Sequence, residues 1–154
     1  MAMLGTGKMV ELARPLTRLV ARIIDGAIFF VLSLIPLLVG LQDFDDLADE
    51  PLGVSLALTA IGLVYEVSLV ATRGQTIGKM AMKIKIIRAG DGLLPGWDMS
   101  TVRWLVPAIP SLIGLVPPLG LVGLLSLLVY VSLTWDKVRQ GWHDKAAKTL
   151  VVKV

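Results

Sequence analysis

The chain has 154 residues, is 55% hydrophobic, has no cysteine and carries a formal net charge of +3. A soluble domain is normally about 45–50% apolar, so the excess points to a membrane. The missing cysteines exclude disulfides, thiolate metal sites and thiol catalysis, and the length allows one small bundle rather than several domains.

Three stretches account for the excess. Between Ile23 and Leu41 the only charge is Asp25, between Leu52 and Ala71 the only charge is Glu66, and between Trp104 and Trp135 there is none. Runs of about 18 or more apolar residues read as membrane spans. The first run is too long for a signal-peptide core and no small-residue cleavage pattern follows it, so it is expected to remain as a span.

Charge is segregated along the chain. Lys8, Arg14, Arg18 and Arg22 precede or open the first span, while Asp43, Asp45, Asp46, Asp49 and Glu50 fill the next loop without a base. The following loop is again basic, with Arg73, Lys79, Lys83, Lys85, Arg88 and Arg103, and so is the tail, with Lys137, Arg139, Lys145, Lys148 and Lys153. Lys and Arg in short loops mark the cytoplasmic side. Both termini and the middle loop are therefore expected in the cytoplasm.

That placement requires the third apolar stretch to cross and return. A straight helix from Trp104 to Trp135 would be about 50 Å long, against a hydrocarbon core of about 30 Å. Pro117-Pro118-Leu119-Gly120 near its middle breaks such a helix. The expectation is an α-helical polytopic membrane protein with four membrane segments, at about 18–41, 52–72, 101–116 and 119–135, the last two a Pro-broken hairpin. The competing reading is an interfacial helix near 98–115 followed by a single span.

Between the second and third segments, Lys83-Ile84-Lys85-Ile86-Ile87-Arg88 alternates as a strand with one wet face. Asp91-Gly92 marks a tight turn, and Leu93-Leu94 is expected to begin a returning strand. The β-branched tail 148–154 is expected to add a further strand to this hairpin, giving a small cytoplasmic antiparallel sheet from 82–95 and 148–154. In the preceding Arg73-Gly74-Gln75-Thr76-Ile77-Gly78-Lys79, the glycines suit a turn or a close backbone approach, and the Walker A spacing is absent.

The charges within reach of hydrocarbon are the candidate site. Asp25 is too short to snorkel and needs a partner, with Arg18, Arg22, Arg103 or a polar group of the last span as candidates. It reads either as a proton or cation site or as a structural ion pair. Glu66 calls for an interhelix partner or is a simple interfacial carboxylate. Asp136 closes the last span, and His143 with Asp144 is expected to set the turn into the final strand. One histidine without cysteine or a spaced second histidine is no metal motif, and no nucleophile elbow supports an enzyme.

In their order, these pieces resemble the RDD family of small bacterial membrane proteins. The carriers are Arg18-Leu-Val-Ala21-Arg-Ile-Ile24-Asp25, Gly74-Gln75-Thr76-Ile77-Gly78-Lys79 with Ile84-Lys85-Ile86-Ile87, Arg103, and Asp136-Lys-Val-Arg139-Gln-Gly-Trp142-His143-Asp144-Lys145 running to Thr149-Leu-Val-Val152. By this resemblance the family's arginine maps to Arg18, with Arg22 as the alternative, and its two aspartates map to Asp25 and Asp136. The family is described with three spans, which the charge argument raises to four. The resemblance implies a transport role, with exchange of monovalent cations for protons suggested for some members. Arg18, Asp25 and Asp136 are then the ion or proton site, supported by Arg22, Glu66, Arg103, His143 and Asp144. The alternative is a non-catalytic accessory or scaffold subunit of a membrane complex. Expected partners are the lipid bilayer, a second copy or a larger membrane complex, a monovalent cation and a proton. No nucleic acid, metal or cofactor is expected, and the expected location is the bacterial inner membrane.

Overall fold

The computed structural model describes residues 1–40, 52–114, 116 and 119–154. The acidic loop 43–50 and Pro117-Pro118 lie outside the described residues. The fold is mostly helical. Pro15 opens helix α1 (Pro15–Ser33), where its missing N–H costs nothing and its fixed φ suits the first turn. A short helix α2 (Ile35–Leu38) continues it past a break just before Pro36. Helix α3 (Leu52–Arg73) follows, then the single-turn α4 (Ile77–Ala81). Of the described helices, Pro15–Leu38 and Gly53–Arg73 are long and apolar enough to cross a membrane. Their apolar side chains face outward: Phe30 is 66% exposed and Leu38 is 79% exposed. Apolar surface of this extent is what a lipid-facing helix presents and a soluble core helix hides.

Helix α5 (Gly96–Ile113) starts several residues before the expected boundary. Ser100 Oγ donates to the Gly96 carbonyl within its first turn, and Asp98 sits where helix N-termini favour acids. The apolar stretch resumes as a 3₁₀ turn over Gly120–Leu124, helix α6 (Leu125–Val131) and a second 3₁₀ turn over Ser132–Thr134. Helix α5 packs along this returning stretch and along α3. A Cβ on Gly114 would lie 2.8 Å from the Gly123 Cα, so glycine lets the two backbones meet where the chain reverses. Helix α7 (Trp142–Ala146) and the tail complete the fold.

The β-structure departs from the expected hairpin. Numbered along the chain, β1 (Ala2–Met3) and β2 (Met9–Val10) form a small antiparallel pair at the N-terminus. Strand β3 (Ile84–Arg88) pairs antiparallel with the tail strand β4 (Thr149–Lys153), Ile86 opposite Val151. No strand forms at Leu93-Leu94. The Leu93 carbonyl accepts the Arg88 N–H at 2.9 Å, which closes a turn, and the chain then enters α5. The edge of β3 that a returning strand would need is already taken. Gly74 O accepts from Ile86 N–H at 2.7 Å, and Gln75 Nε2 donates to Ile84 O at 2.9 Å.

The third strand comes from the N-terminus instead. Ala13 N–H donates to Val151 O and Lys153 N–H to Glu11 O, each at 2.9 Å, with Leu12 bridging Val152. The expected wet face of β3 is therefore covered. Ala2, Leu4 and Leu12 bury Ile87, Leu150 and Val152 on one side, while Ala13, Ala21 and Val70 bury Ile84, Ile86 and Val151 on the other. Because β4 lies beside β3, the polypeptide between them leaves and returns to one end of the molecule.

Candidate functional site

The helix ends that meet the sheet also bring together most of the charged residues named above. Asp25 is buried on the face of α1 toward α4. Its Oδ1 accepts from Tyr65 Oη at 2.9 Å and from Gly78 N–H at 2.8 Å, and its Oδ2 accepts from Thr76 Oγ1 at 2.6 Å. Lys79 Nζ stands 4.0 Å from Oδ2 and donates to Thr76 Oγ1 at 3.1 Å. Glycine is required at 78: a Cβ there would overlap the Ala21 carbonyl oxygen and lie 2.9 Å from Asp25 Cγ. The Gly74–Lys79 loop thus provides the close approach that its glycines predict. The anion it cradles is the protein's own carboxylate.

One turn away, Glu66 meets Arg22. Arg22 Nη1 donates to both Glu66 oxygens, at 3.2 and 3.0 Å, and Nη2 donates to Tyr130 Oη. Lys79 Nζ is 3.8 Å from Glu66, so its ammonium stands between Glu66 and Asp25. Burial lowers the Lys79 pKa, and the Arg103 and Arg22 charges lower it further. Glu66 and Asp25 partly offset this, and the group ends at about 8. Its proton is thus exchangeable near neutrality.

A second buried centre forms around Asp144, which has no exposed surface. Arg18 Nη1 donates to its Oδ2 at 3.0 Å, and Gly141 N–H donates to the same oxygen at 3.0 Å. Arg103 pairs with its Oδ1 and donates to Thr149 Oγ1 at 3.1 Å. Three elements, α1, α5 and α7, are tied through one carboxylate. His143 lies beside this clamp, its Nε2 3.6 Å from Asp144 Oδ1. Burial, then the charges of Arg103, Arg22 and Arg18, hold its pKa well below the ordinary histidine value, so it is neutral at pH 7.

The structure does not bring Asp136 to Asp25. Asp136 pairs with Lys145, and its Oδ1 accepts the N–H groups of Val138 and Gln140, each at 3.0 Å, shaping the turn before α7. Despite some desolvation, the Lys145 ammonium and these N–H groups hold its carboxyl below the usual carboxylate range. Arg18 and Arg103, candidate partners for Asp25, are turned to Asp144. Arg22, a local partner for Asp25 by its i,i+3 spacing, reaches across to Glu66 instead. Helix neighbours lost because Tyr65, Gly78 and Thr76 already fill the Asp25 oxygens. Sequence reasoning singled out neither Thr76, Lys79 nor Tyr130 as site residues. The available signal was a donor-rich Thr76-Ile77-Gly78-Lys79 immediately after a span that faces another span carrying an unpaired acid.

Above the Asp25 and Glu66 carboxylates lies a cavity of about 380 Å³ between α1, α3, α5 and α6. Hydroxyls of Thr59, Ser111 and Ser126 line it together with Arg22, Glu66 and Tyr130. No cluster of metal-binding side chains is present among the described residues.

The family model of the RDD family matches residues 12–148. The chain belongs to the RDD family. In this RDD protein the match spans both buried carboxylate centres, the sheet strand β3 and all the described helices. Searches of curated proteins and of solved structures find no match. With its apolar, outward-facing helices, this RDD chain is a membrane protein.

Proposed function

We propose that this RDD protein is a small transporter of the bacterial inner membrane that exchanges a monovalent cation for a proton. It has four membrane segments and both termini in the cytoplasm, and it works as a homodimer or within a larger membrane complex. Support for this topology comes from the sheet. The basic N-terminal segment, the basic middle loop and the basic tail meet there at one end of the molecule, as positive-inside placement requires.

The observation that carries the exchange reading is the Lys79 ammonium poised between Asp25 and Glu66, two carboxylates that line the hydroxyl-lined cavity. Loss of its proton removes one positive charge from beside two carboxylates. A monovalent cation entering the cavity restores it, and reprotonation of Lys79 expels that cation. One proton leaves for each cation taken up, so the buried charge stays constant. In this scheme Lys79 is the charge that competes with the cation. Asp136 has no part in binding.

Purified protein in proteoliposomes is expected to show cation-dependent proton flux with no other component. Both Asp25→Asn and Lys79→Gln are expected to abolish it while the protein still accumulates in the membrane. Absence of flux from the parent protein would overturn the reading. A second reading, a non-transporting accessory subunit, draws on a different observation: three protein donors already occupy the Asp25 oxygens. It gains if Asp25→Asn destroys accumulation and the parent carries no flux.

A further inference from the structure

A second cavity, of about 310 Å³, lies on the opposite side of the Arg22–Glu66 pair from the hydroxyl-lined one. Its outer wall is apolar. Leu16 and Leu19 of α1 stand on one side of the mouth and Val131 and Leu133 on the other. Leu19 is 55% exposed, so the mouth opens sideways, where a lipid-facing helix meets hydrocarbon, and not toward water. The inner wall is cationic, formed by Arg18, Arg22, Lys79 and Arg103, with Glu66 the one carboxylate lining it.

The charges around this cavity do not balance. Among the described residues, four cations (Arg18, Lys79 and Arg103, mostly buried, and Arg22, 43% exposed) share three carboxylates, Asp25, Glu66 and Asp144. The adjacent His143 is neutral and contributes nothing. An unmatched charge in an apolar setting is costly and calls for a counter-ion. Arg18 and Arg103 both line this cavity, and guanidinium groups match phosphate oxygens.

We infer that this cavity binds an anionic phospholipid, its phosphate against Arg18 and Arg103 and its acyl chain along Leu16 and Leu19. The apolar mouth selects a ligand that arrives from the bilayer over free phosphate, which would have to shed its water to pass. The surplus positive charge selects a net anionic head over a zwitterionic one. Location agrees as well, because the cavity sits at the end of the bundle where α1 begins and the last apolar stretch closes. Lipid head groups lie at that depth.

The test is thermal unfolding of the full chain in a mild non-ionic detergent, titrated with phosphatidylglycerol, phosphatidylcholine or inorganic phosphate, alongside native mass spectrometry. A ligand bound only by the folded state raises the unfolding midpoint with its concentration. Phosphatidylglycerol is expected to raise the midpoint and to remain bound in the mass spectrum, whereas phosphatidylcholine and inorganic phosphate leave both unchanged. Leu19→Trp, which fills the mouth from an exposed position, is expected to weaken the phosphatidylglycerol effect roughly tenfold, equivalent to about 1.4 kcal/mol. Thr134→Glu sets a carboxylate at the mouth and is expected to remove the response by supplying the missing charge internally. An equal response to phosphatidylcholine, an equal response to inorganic phosphate, or a full phosphatidylglycerol response in both variants would overturn the proposal.

Discussion

Asp25 and Asp144 are both buried and lie in the same bundle, yet they are held by opposite means. Asp25 rests on uncharged donors, a phenol, a hydroxyl and a backbone N–H, with its nearest cation at 4.0 Å. Asp144 is gripped directly by two guanidiniums and one N–H. A carboxylate with neutral donors keeps its hydrogen bonds when the neighbouring charge changes. One clamped by arginines loses its partners and strands them if it is altered. The first arrangement suits the proposed exchange, and the second suits a lock between helices.

The sharpest way to break this comparison is to neutralise each acid in turn. Asp144→Asn leaves Arg18 and Arg103 buried without their counter-charge, and removing one member of a buried ionic set costs about 3–5 kcal/mol. The variant is expected to fail to accumulate, or to unfold far earlier in detergent. If it accumulates and melts like the parent, the clamp is not the lock. Gly78→Ala comes next. Its Cβ would overlap the Ala21 carbonyl oxygen, so α1 and α4 must separate and the Gly78 N–H leaves Asp25. The expected loss is about 2–3 kcal/mol, the upper part of what overpacking costs, read as a lowered unfolding midpoint. Asp25→Asn keeps the shape and one acceptor oxygen but turns an NH₂ toward existing donors. The expected cost is about 1–2 kcal/mol, so the folded variant remains available for the flux measurement.

The fold was legible where periodicity and charge carry it. Apolar runs with a single charge each marked the two long helices, and alternation marked β3. The β-branched tail was correctly paired with it. The hairpin at Leu93-Leu94 was not legible as wrong, because local turn chemistry at Asp91-Gly92 is indifferent to whether an edge is free. That edge was taken by Gly74 and Gln75, residues remote from the turn in the fold's logic and polar in character. The N-terminal strand pair escaped notice because Ala2–Met3 and Met9–Val10 are too short to show a period. In the site, the acids and arginines were legible as expensive charges, but their pairings were not. Spacing along one helix offered Arg22 as one candidate for Asp25, whereas the partners that won came from α3 and from the start of α4 through tertiary packing. Lys79 was hidden by its position in a loop, where a lysine ordinarily faces water.

The His143 environment sharpens the comparison through pH. The folded pKa of His143 lies well below 6.5, the value it regains on unfolding. Below about pH 6.5 the unfolded chain therefore binds a proton that the folded chain refuses. Stability is full above that pH and declines as pH falls, by up to about 1.4 kcal/mol per unit. Burial sets the sign, and the charges of Arg103, Arg22, Arg18 and Lys79 add to it despite Asp144 at 3.6 Å. Unfolding midpoints at pH 7 and pH 5.5 are expected to differ by more in the parent than in His143→Gln. Equal slopes would mean that the acid sensitivity arises elsewhere.

Asp136 supplies the smallest expected effect and the cleanest control. It is the second aspartate by resemblance, but its work is local: Oδ1 accepts two N–H groups, and Lys145, half exposed, supplies the charge. Asn keeps the accepting oxygen, so Asp136→Asn preserves the turn and gives up only the Lys145 pair, worth about 0–1 kcal/mol at such an exposed site. Accumulation, unfolding midpoint and cation-dependent flux are all expected to match the parent. Asp136→Ala removes the acceptor as well and is expected to cost about 1 kcal/mol more, again without touching flux. Loss of flux in a well-folded Asp136→Asn would place this acid in the proposed exchange after all. It would also show that Lys79 between Asp25 and Glu66 is not sufficient for it.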